Sequence, residues 1–309
     1  MYIAFDIGGT TIKYGVVSST GDILEKDKLS TPMSEVDFLS KLTDIVKKYQ
    51  SNYDDIQGIG ISAPGVVSET GVMTLFGALT ELYGMPLQAR LTELTGLPVA
   101  IENDANAAAI AEHWLGGAQD LKDYITIVVG TGLGGGIVQN GQVYRGAHGA
   151  AGELGWPLYH GRNRAGNLES CSETFYSPTV LGLMRRYNEA LTSLHQEETS
   201  DTRAVLALAE AGDPTAFNIF DEYIGDLAQN LLNLTAVYDP EAILIGGGIS
   251  ENPYFMDMLT ARFDAFTDRH EAMSRLKSYG LLGEIRKAKL GNDAGMLGAA
   301  YIIKTKLSK

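Results

Sequence analysis

The residues Asp6-Ile7-Gly8-Gly9-Thr10-Thr11-Ile12-Lys13 have the make-up of a turn that could hold an anion. Glycines let neighbouring backbone N–H groups converge on one phosphate, and threonine hydroxyls add donors. Asp6, at the end of an apolar run, could hold a hydrated divalent cation. No lysine stands in the Walker position, so a phosphate site here would differ from a P-loop. A plain β-turn with a strand-end aspartate accounts for the same residues. A second cluster, Val129-Gly130-Thr131-Gly132-Leu133-Gly134-Gly135-Gly136, formally contains GxGxxG. A dinucleotide fingerprint needs a helix next, whereas Ile137-Val138-Gln139-Asn140-Gly141 predicts a hairpin. Five glycines within residues 130–136 therefore predict a long glycine turn, either a second phosphate cradle or a flexible connection.

Three further groups could carry chemistry. In Glu102-Asn103-Asp104-Ala105-Asn106, Asp104 falls between a strand and an alanine-rich helix, where the helix dipole favours a carboxylate able to accept a hydroxyl proton. Asn103 could bind neighbouring hydroxyls, and helix capping explains both residues equally well. Ile245-Gly246-Gly247-Gly248-Ile249 could lay bare backbone against a purine or ribose, or could simply be a tight strand-to-helix turn. Glu153 and Glu173, with His148, His160 and Cys171 nearby in sequence, could hold sugar hydroxyls or be solvated loop charges. Gly60-Ile61-Ser62-Ala63-Pro64 lacks the fifth-position glycine of a hydrolase nucleophile elbow.

These groups need elements to position them. Tyr2 to Ile7 reads as a buried strand, Ile12 to Val17 as a second, and Gly21-Asp22 as a turn into a third. Spacing at Val36, Leu39, Leu42, Ile45 and Val46 predicts an amphipathic helix, followed by strand 56–62, a helix near 86–94, strand 98–102 and the alanine-rich helix from 105. The plan then restarts: strand 124–129, the glycine turn 130–136, strand 137–139, the hairpin dipeptide Asn140-Gly141 and strand 142–144. Helices near 178–194, 201–211 and 215–237, strand 242–246 and a Gly/Ala-rich last helix 293–306 complete the pattern. Two halves of similar order predict an α/β protein of two lobes, residues 1–115 and 116–309, with the last helix packing back on the first lobe.

Composition narrows the function. The chain has 309 residues, 45% apolar and 20% charged, enough for two domain cores of ordinary globular type. No stretch approaches the roughly 18 apolar residues of a membrane span, and the first residues show no secretory or transit pattern, so a cytoplasmic location is expected. A net charge of −14, without clustered cations, argues against nucleic acid as a partner. A lone cysteine excludes an intramolecular disulfide and a cysteine-based structural zinc site. Glycine is the excess, 36 residues or about 12% against a usual 7% or so, and it falls in clusters.

The order of these features resembles the superfamily of sugar kinases, actin and heat-shock ATPases, and DIGGTTIK with ENDANAAA and HGAAGELG is similar to the ROK sugar kinases. The resemblance covers nearly the whole chain and implies the two-lobed actin-like (ribonuclease H-like) fold with an interlobe cleft. It implies ATP and Mg²⁺ as cofactors, Asp6, Gly8, Gly9, Thr10, Lys13, Thr131 and Gly132 around the phosphates, Gly247 and Gly248 at the adenosine, and Asp104 as catalytic base. It places Gly65, Asn103, Glu153 and Glu173 in the sugar pocket, the last by aligning residues 170–177 with a GCLETxxS segment. Asp6 would hold Mg²⁺ through water, and a homodimer is implied. The expected reaction is transfer of the γ-phosphoryl of Mg-ATP to a hexose hydroxyl, the 6-OH. The rival is a sugar-sensing ATPase without kinase activity, since DNA-binding relatives carry an N-terminal region for which the early first hairpin leaves no room. Two departures stand out. Trp156 replaces the usual zinc-binding histidine and the CxC pair is missing, so no zinc site is expected. The usual pocket asparagine is also missing near Gly77-Ala78-Leu79. Both departures suit a substituted or apolar-faced sugar such as a β-glucoside or N-acetylhexosamine as well as glucose.

Overall fold

The structure, a computed structural model, describes residues 1–158 and 167–308. His160 lies outside the described residues. Contacts divide the chain into two units, one of residues 1–120, 136–152 and 292–309, the other of residues 121–135 and 153–291.

The first unit opens with three strands, β1 (Tyr2–Ile7), β2 (Thr11–Val17) and β3 (Ile23–Ser30), followed by helix α1 (Glu35–Asn52). Then come β4 (Gly58–Ala63), α2 (Leu87–Thr95), β5 (Val99–Asn103) and α3 (Asp104–Leu115). The sheet order is β3-β2-β1-β4-β5, antiparallel across β3, β2 and β1 and parallel across β1, β4 and β5. Helix α1 is started by Ser34, whose hydroxyl accepts from the Asp37 amide at 3.1 Å. Its apolar face, Phe38, Leu39, Leu42, Val46 and Tyr49, joins Ile3, Phe5, Ile59 and Ile61 in one core.

The register of this sheet decides what its edge can do. Asp6 pairs with Lys13 on β2 and with Ser62 on β4, and Ser62 pairs with Glu102 on β5. Directly opposed residues project to the same face, so Lys13, Asp6, Ser62 and Glu102 form one polar row across four strands.

The second sheet has the order β10-β9-β6-β7-β8. It comprises β6 (Tyr124–Val129), β7 (Leu133–Gln139), β8 (Gln142–Val143), β9 (Ala242–Gly246) and β10 (Glu284–Lys287). Asn140 and Gly141 both take positive φ, 53° and 73°, as a two-residue hairpin turn requires. Helices of the second unit are α4 (Glu173–Tyr176), α5 (Arg185–Ser193), α6 (Thr202–Glu210), α7 (Pro214–Tyr238), α8 (Pro253–Arg269) and α9 (Glu271–Ser278). Phe220, Tyr223, Leu227 and Leu231 of α7 are fully buried, as are Leu244 and Ile245 of β9. Among the described residues no helix is long and apolar enough to cross a membrane.

Three sequence expectations need correction. The glycine turn ends at Gly132, because Gly134, Gly135 and Gly136 lie within β7. At Gly136 the bareness serves packing: a Cβ there would come within 2.9 Å of the Ala105 carbonyl and the Ala109 methyl of α3. The helix expected over 178–194 begins as a π-helical turn, Thr179–Met184, before α5. Residues 253–287 hold α8, α9 and β10, elements beyond those the sequence pattern predicts.

Helix α10 (Ala294–Leu307) lies against α3, β1, β4 and β5 of the first unit. A Cβ on Gly298 would sit 2.0 Å from the Ala107 carbonyl oxygen of α3, a backbone atom that no rotamer change can move. Gly298→Ala should therefore destabilise the protein by about 1–3 kcal/mol or more through overpacking. That outweighs the gain of about 1 kcal/mol in helix propensity. A urea midpoint equal to or above wild type would contradict this packing.

Candidate active site

In the first unit, the turn between β1 and β2 is held from outside. The Gly8 amide donates to the Thr11 carbonyl at 2.9 Å, the Thr31 amide to the Thr10 carbonyl at 3.0 Å, and the Thr31 hydroxyl to the Gly8 carbonyl at 2.7 Å. With those carbonyls engaged, the Gly9–Thr10 backbone stands exposed. Thr31 sits twenty residues beyond the turn, and nothing in the sequence pattern pointed to it.

Asp6 lies directly below. Its carboxylate accepts from the Ser62 hydroxyl at 2.9 Å and from Lys13 Nζ at 3.2 Å, and Lys13 also donates to the Asn292 carbonyl at 3.1 Å. A Cβ on Gly295 of α10 would come within 2.3 Å of this carboxylate, so the glycine leaves room for it. The pairing gives Asp6 a cation partner and a hydroxyl support, and Ser62 takes a supporting place that the sequence had offered only to a failed hydrolase motif.

At the end of β5, Asn103 caps α3. Its Oδ1 accepts from the Ala105 and Asn106 amides at 2.9 and 3.0 Å, and its Nδ2 donates to the Gly65 carbonyl at 2.9 Å. One side chain thus caps α3 and ties the end of β5 to Gly65. Gly65 holds φ +91°, a conformation that favours glycine. Asp104 is the first residue of α3, half-buried, and accepts from the Ala105 amide at 2.9 Å. The dipole at a first helical turn favours negative charge at this position.

Glu102 anchors the group from behind. It is buried and accepts from the Asn103 amide and Asn106 Nδ2, each at 3.1 Å, and from Arg145, whose Nε lies at 2.8 Å. A buried carboxylate of this kind needs such a set of donors, because unpaired it would carry a large desolvation cost. Arg145 belongs to none of the sequence motifs, and its only signal is its place just ahead of the Gly146–Glu153 segment.

In the second unit, β6 ends in the turn Gly130-Thr131-Gly132, closed by the Gly130 amide donating to the Gly132 carbonyl at 3.0 Å. Thr131 and Gly132 are exposed. The end of β9 lies alongside: Gly247 has φ +89°, and a Cβ there would meet the Val129 carbonyl oxygen at 2.1 Å. Gly248 faces open space. The two glycine clusters at 130–132 and 247–248 are therefore neighbours at one end of this sheet.

The two acidic candidates also lie on neighbouring segments of this unit. The Thr174 amide and hydroxyl donate to the Gly155 carbonyl at 2.8 and 2.9 Å, and the Glu173 amide to the Pro157 carbonyl at 3.1 Å. Glu173 is no solvated loop charge. It opens α4, is buried, and accepts from the Ser177 hydroxyl. Glu153 is held by the Trp156 amide donating to its carbonyl at 3.1 Å, and burial pushes its carboxyl above the ordinary glutamate value. Trp156 is half exposed, Cys171 is buried, and no cluster among the described residues could hold a metal ion.

A raised folded-state pKa means the protonated form is favoured by folding, so the contribution of Glu153 is fully present at low pH and lost as pH rises through the folded value. Glu153→Gln should accordingly equal or exceed wild type in thermal stability at pH 7. The gap should close as pH falls below about 4.3, the usual glutamate value. A Gln variant less stable than wild type at pH 7 would contradict the desolvation.

Comparison with known proteins identifies the family. The model of the ROK family matches residues 2–306. A β-glucoside kinase of Listeria innocua is 36% identical over 300 residues, covering 96% of this chain and 95% of its own. A ROK family protein from Streptococcus pneumoniae, solved in complex with sucrose, superposes with a TM-score of 0.84 at 29% identity, covering 100% of this chain and 99% of that one. A ROK family glucokinase from Streptomyces griseus, solved with glucose and AMPPNP, gives a TM-score of 0.76 at 27% identity over 97% and 98% of the two chains. With an actin-like ATPase fold and a match along nearly its whole length, this chain belongs to the ROK family and stands among its sugar kinases.

Proposed function

We propose that this chain transfers the γ-phosphoryl group of ATP to a hexose hydroxyl, the 6-OH, with Asp104 as the catalytic base. The observation that carries the reading is the placement of Asp104 at the first turn of α3, next to Asn103, whose amide is fixed by Gly65. A carboxylate there can take the proton of an incoming hydroxyl while the neighbouring asparagine holds an adjacent one.

The exposed residues Gly9 and Thr10 of one turn, and Thr131 and Gly132 of the other, carry backbone amides suited to phosphate oxygens, and Gly247-Gly248 offers bare backbone for the nucleoside. Asp6 suits a divalent cation bound through water: it is a single carboxylate, supported by Ser62, with space kept by Gly295. Bound Mg²⁺ would offset the phosphate charge. Asp104 accepts the hydroxyl proton, the oxygen forms a bond to the γ-phosphorus, and the bond to the β-phosphate oxygen breaks to release ADP. Glu153 and Glu173 would accept from sugar hydroxyls by charge-assisted hydrogen bonds. The exposed indole of Trp156, three residues from Glu153, adds an apolar face that suits a β-glucoside or N-acetylhexosamine beside glucose.

Three measurements test this reading. Coupled ADP release over glucose, mannose, fructose, N-acetylmannosamine, N-acetylglucosamine and cellobiose should show stimulation by at least one sugar. Asp104→Asn should lower kcat by about 10²-fold or more while leaving ATP affinity unchanged. Near-normal turnover in that variant would remove Asp104 from its role, and no stimulation by any sugar would favour a sensing ATPase. Metal analysis of the same protein should find no stoichiometric zinc.

A further inference from the structure

We propose that Thr179 is a positioning residue for nucleotide phosphate, acting through the turn Gly130-Thr131-Gly132. The inference rests on the nucleotide part of the function proposed above. The Gly130 carbonyl accepts twice from one residue, from the Thr179 amide at 2.9 Å and from the Thr179 hydroxyl at 2.9 Å. A carbonyl oxygen has two lone pairs, so both are used.

The consequence follows from the planarity of the peptide bond. The Gly130 carbonyl and the Thr131 amide belong to one rigid trans unit, with C=O and N–H pointing in opposite directions. Fixing the oxygen towards Thr179 fixes the Thr131 N–H on the other side. Glycines on both sides of Thr131 would otherwise let that peptide plane rotate at little steric cost. Thr179 thus removes a freedom that the glycines introduce and leaves one amide aimed before any phosphate arrives. Preorganised donors of this kind need no reordering when the anion binds.

Thr179 is itself well anchored. It opens the π-helical turn Thr179–Met184 behind Pro178. The preceding Ser177 donates its hydroxyl to Glu173, its amide to the Glu173 carbonyl at 2.9 Å, and accepts at its own carbonyl from the buried Tyr223 hydroxyl at 3.0 Å. Gly182 lies so close to Tyr176 that a Cβ would come within 2.0 Å of its carbonyl oxygen. Helix-start packing alone would account for the bond from the Thr179 amide, which needs an acceptor outside the helix. It does not account for the hydroxyl spending its donor on the same oxygen.

Thr179→Val keeps the shape and the amide bond and deletes the hydroxyl bond, whereas Thr179→Ser keeps both. Calorimetric titration with ADP and with AMPPNP, alongside the KM for ATP and for the best sugar, separates the outcomes. Thr179→Val should weaken nucleotide binding about three- to tenfold, the scale of one hydrogen bond, and leave the sugar KM within about twofold. Thr179→Ser should bind nucleotide like wild type. Unchanged nucleotide affinity in the Val variant, an equal rise in both KM values, or a Ser variant as weak as Val would overturn the proposal. If wild type binds nucleotide but phosphorylates no sugar, the kinase reading fails, and the titrations still decide the role of Thr179. If wild type binds no nucleotide, both fall.

Discussion

The register of β1 between β2 and β4 is the constraint on which the first unit depends. One set of backbone pairings puts Lys13, Asp6, Ser62 and Glu102 side by side on a single face. A slip of β1 by one residue would turn Asp6 to the other face and break the row, since side chains alternate along a strand. The register is itself secured by burial, because Ile3, Phe5 and Ile7 on β1, with Ile59 and Ile61 on β4, must stay in the core. Apolar packing thus fixes the position of the polar row.

From that row the rest of the first unit's chemistry is built by short links. Asp6 stands beneath the turn tied by Thr31, and Glu102 holds both the start of α3 and Arg145. Asn103 then joins the helix cap to Gly65. Each of these polar groups is met by a specific donor or acceptor, as buried polar groups must be. The acid that could do the chemistry, Asp104, is placed by its neighbours on either side.

The second unit uses the same device with a different anchor. Its glycine turn is short, and its geometry comes from a side chain almost fifty residues later, Thr179, whose own position is fixed by Ser177 and Tyr223. In both units a permissive glycine turn is combined with a threonine that binds its carbonyls from outside. Glycine provides access to the backbone, and the threonine restores the definite shape that glycine gives up.

By itself the sequence determined what depends on neighbours in the chain. Alternating and helical apolar patterns marked β1, α1, α3 and β9. The dipeptide Asn140-Gly141 marked its hairpin, and the glycine and Asp104 motifs carried the family resemblance. These rest on local geometry, where spacing along the chain equals spacing in space. Tertiary structure alone decided the rest. It alone showed that Gly134, Gly135 and Gly136 are strand residues, with Gly136 packed against α3, that Glu173 is buried, and that Thr31, Ser62, Arg145 and Thr179 hold the candidate site. None of these could be read from the chain, because each depends on a contact between segments whose separation in sequence carries no period, and only the packed core fixes which of them meet.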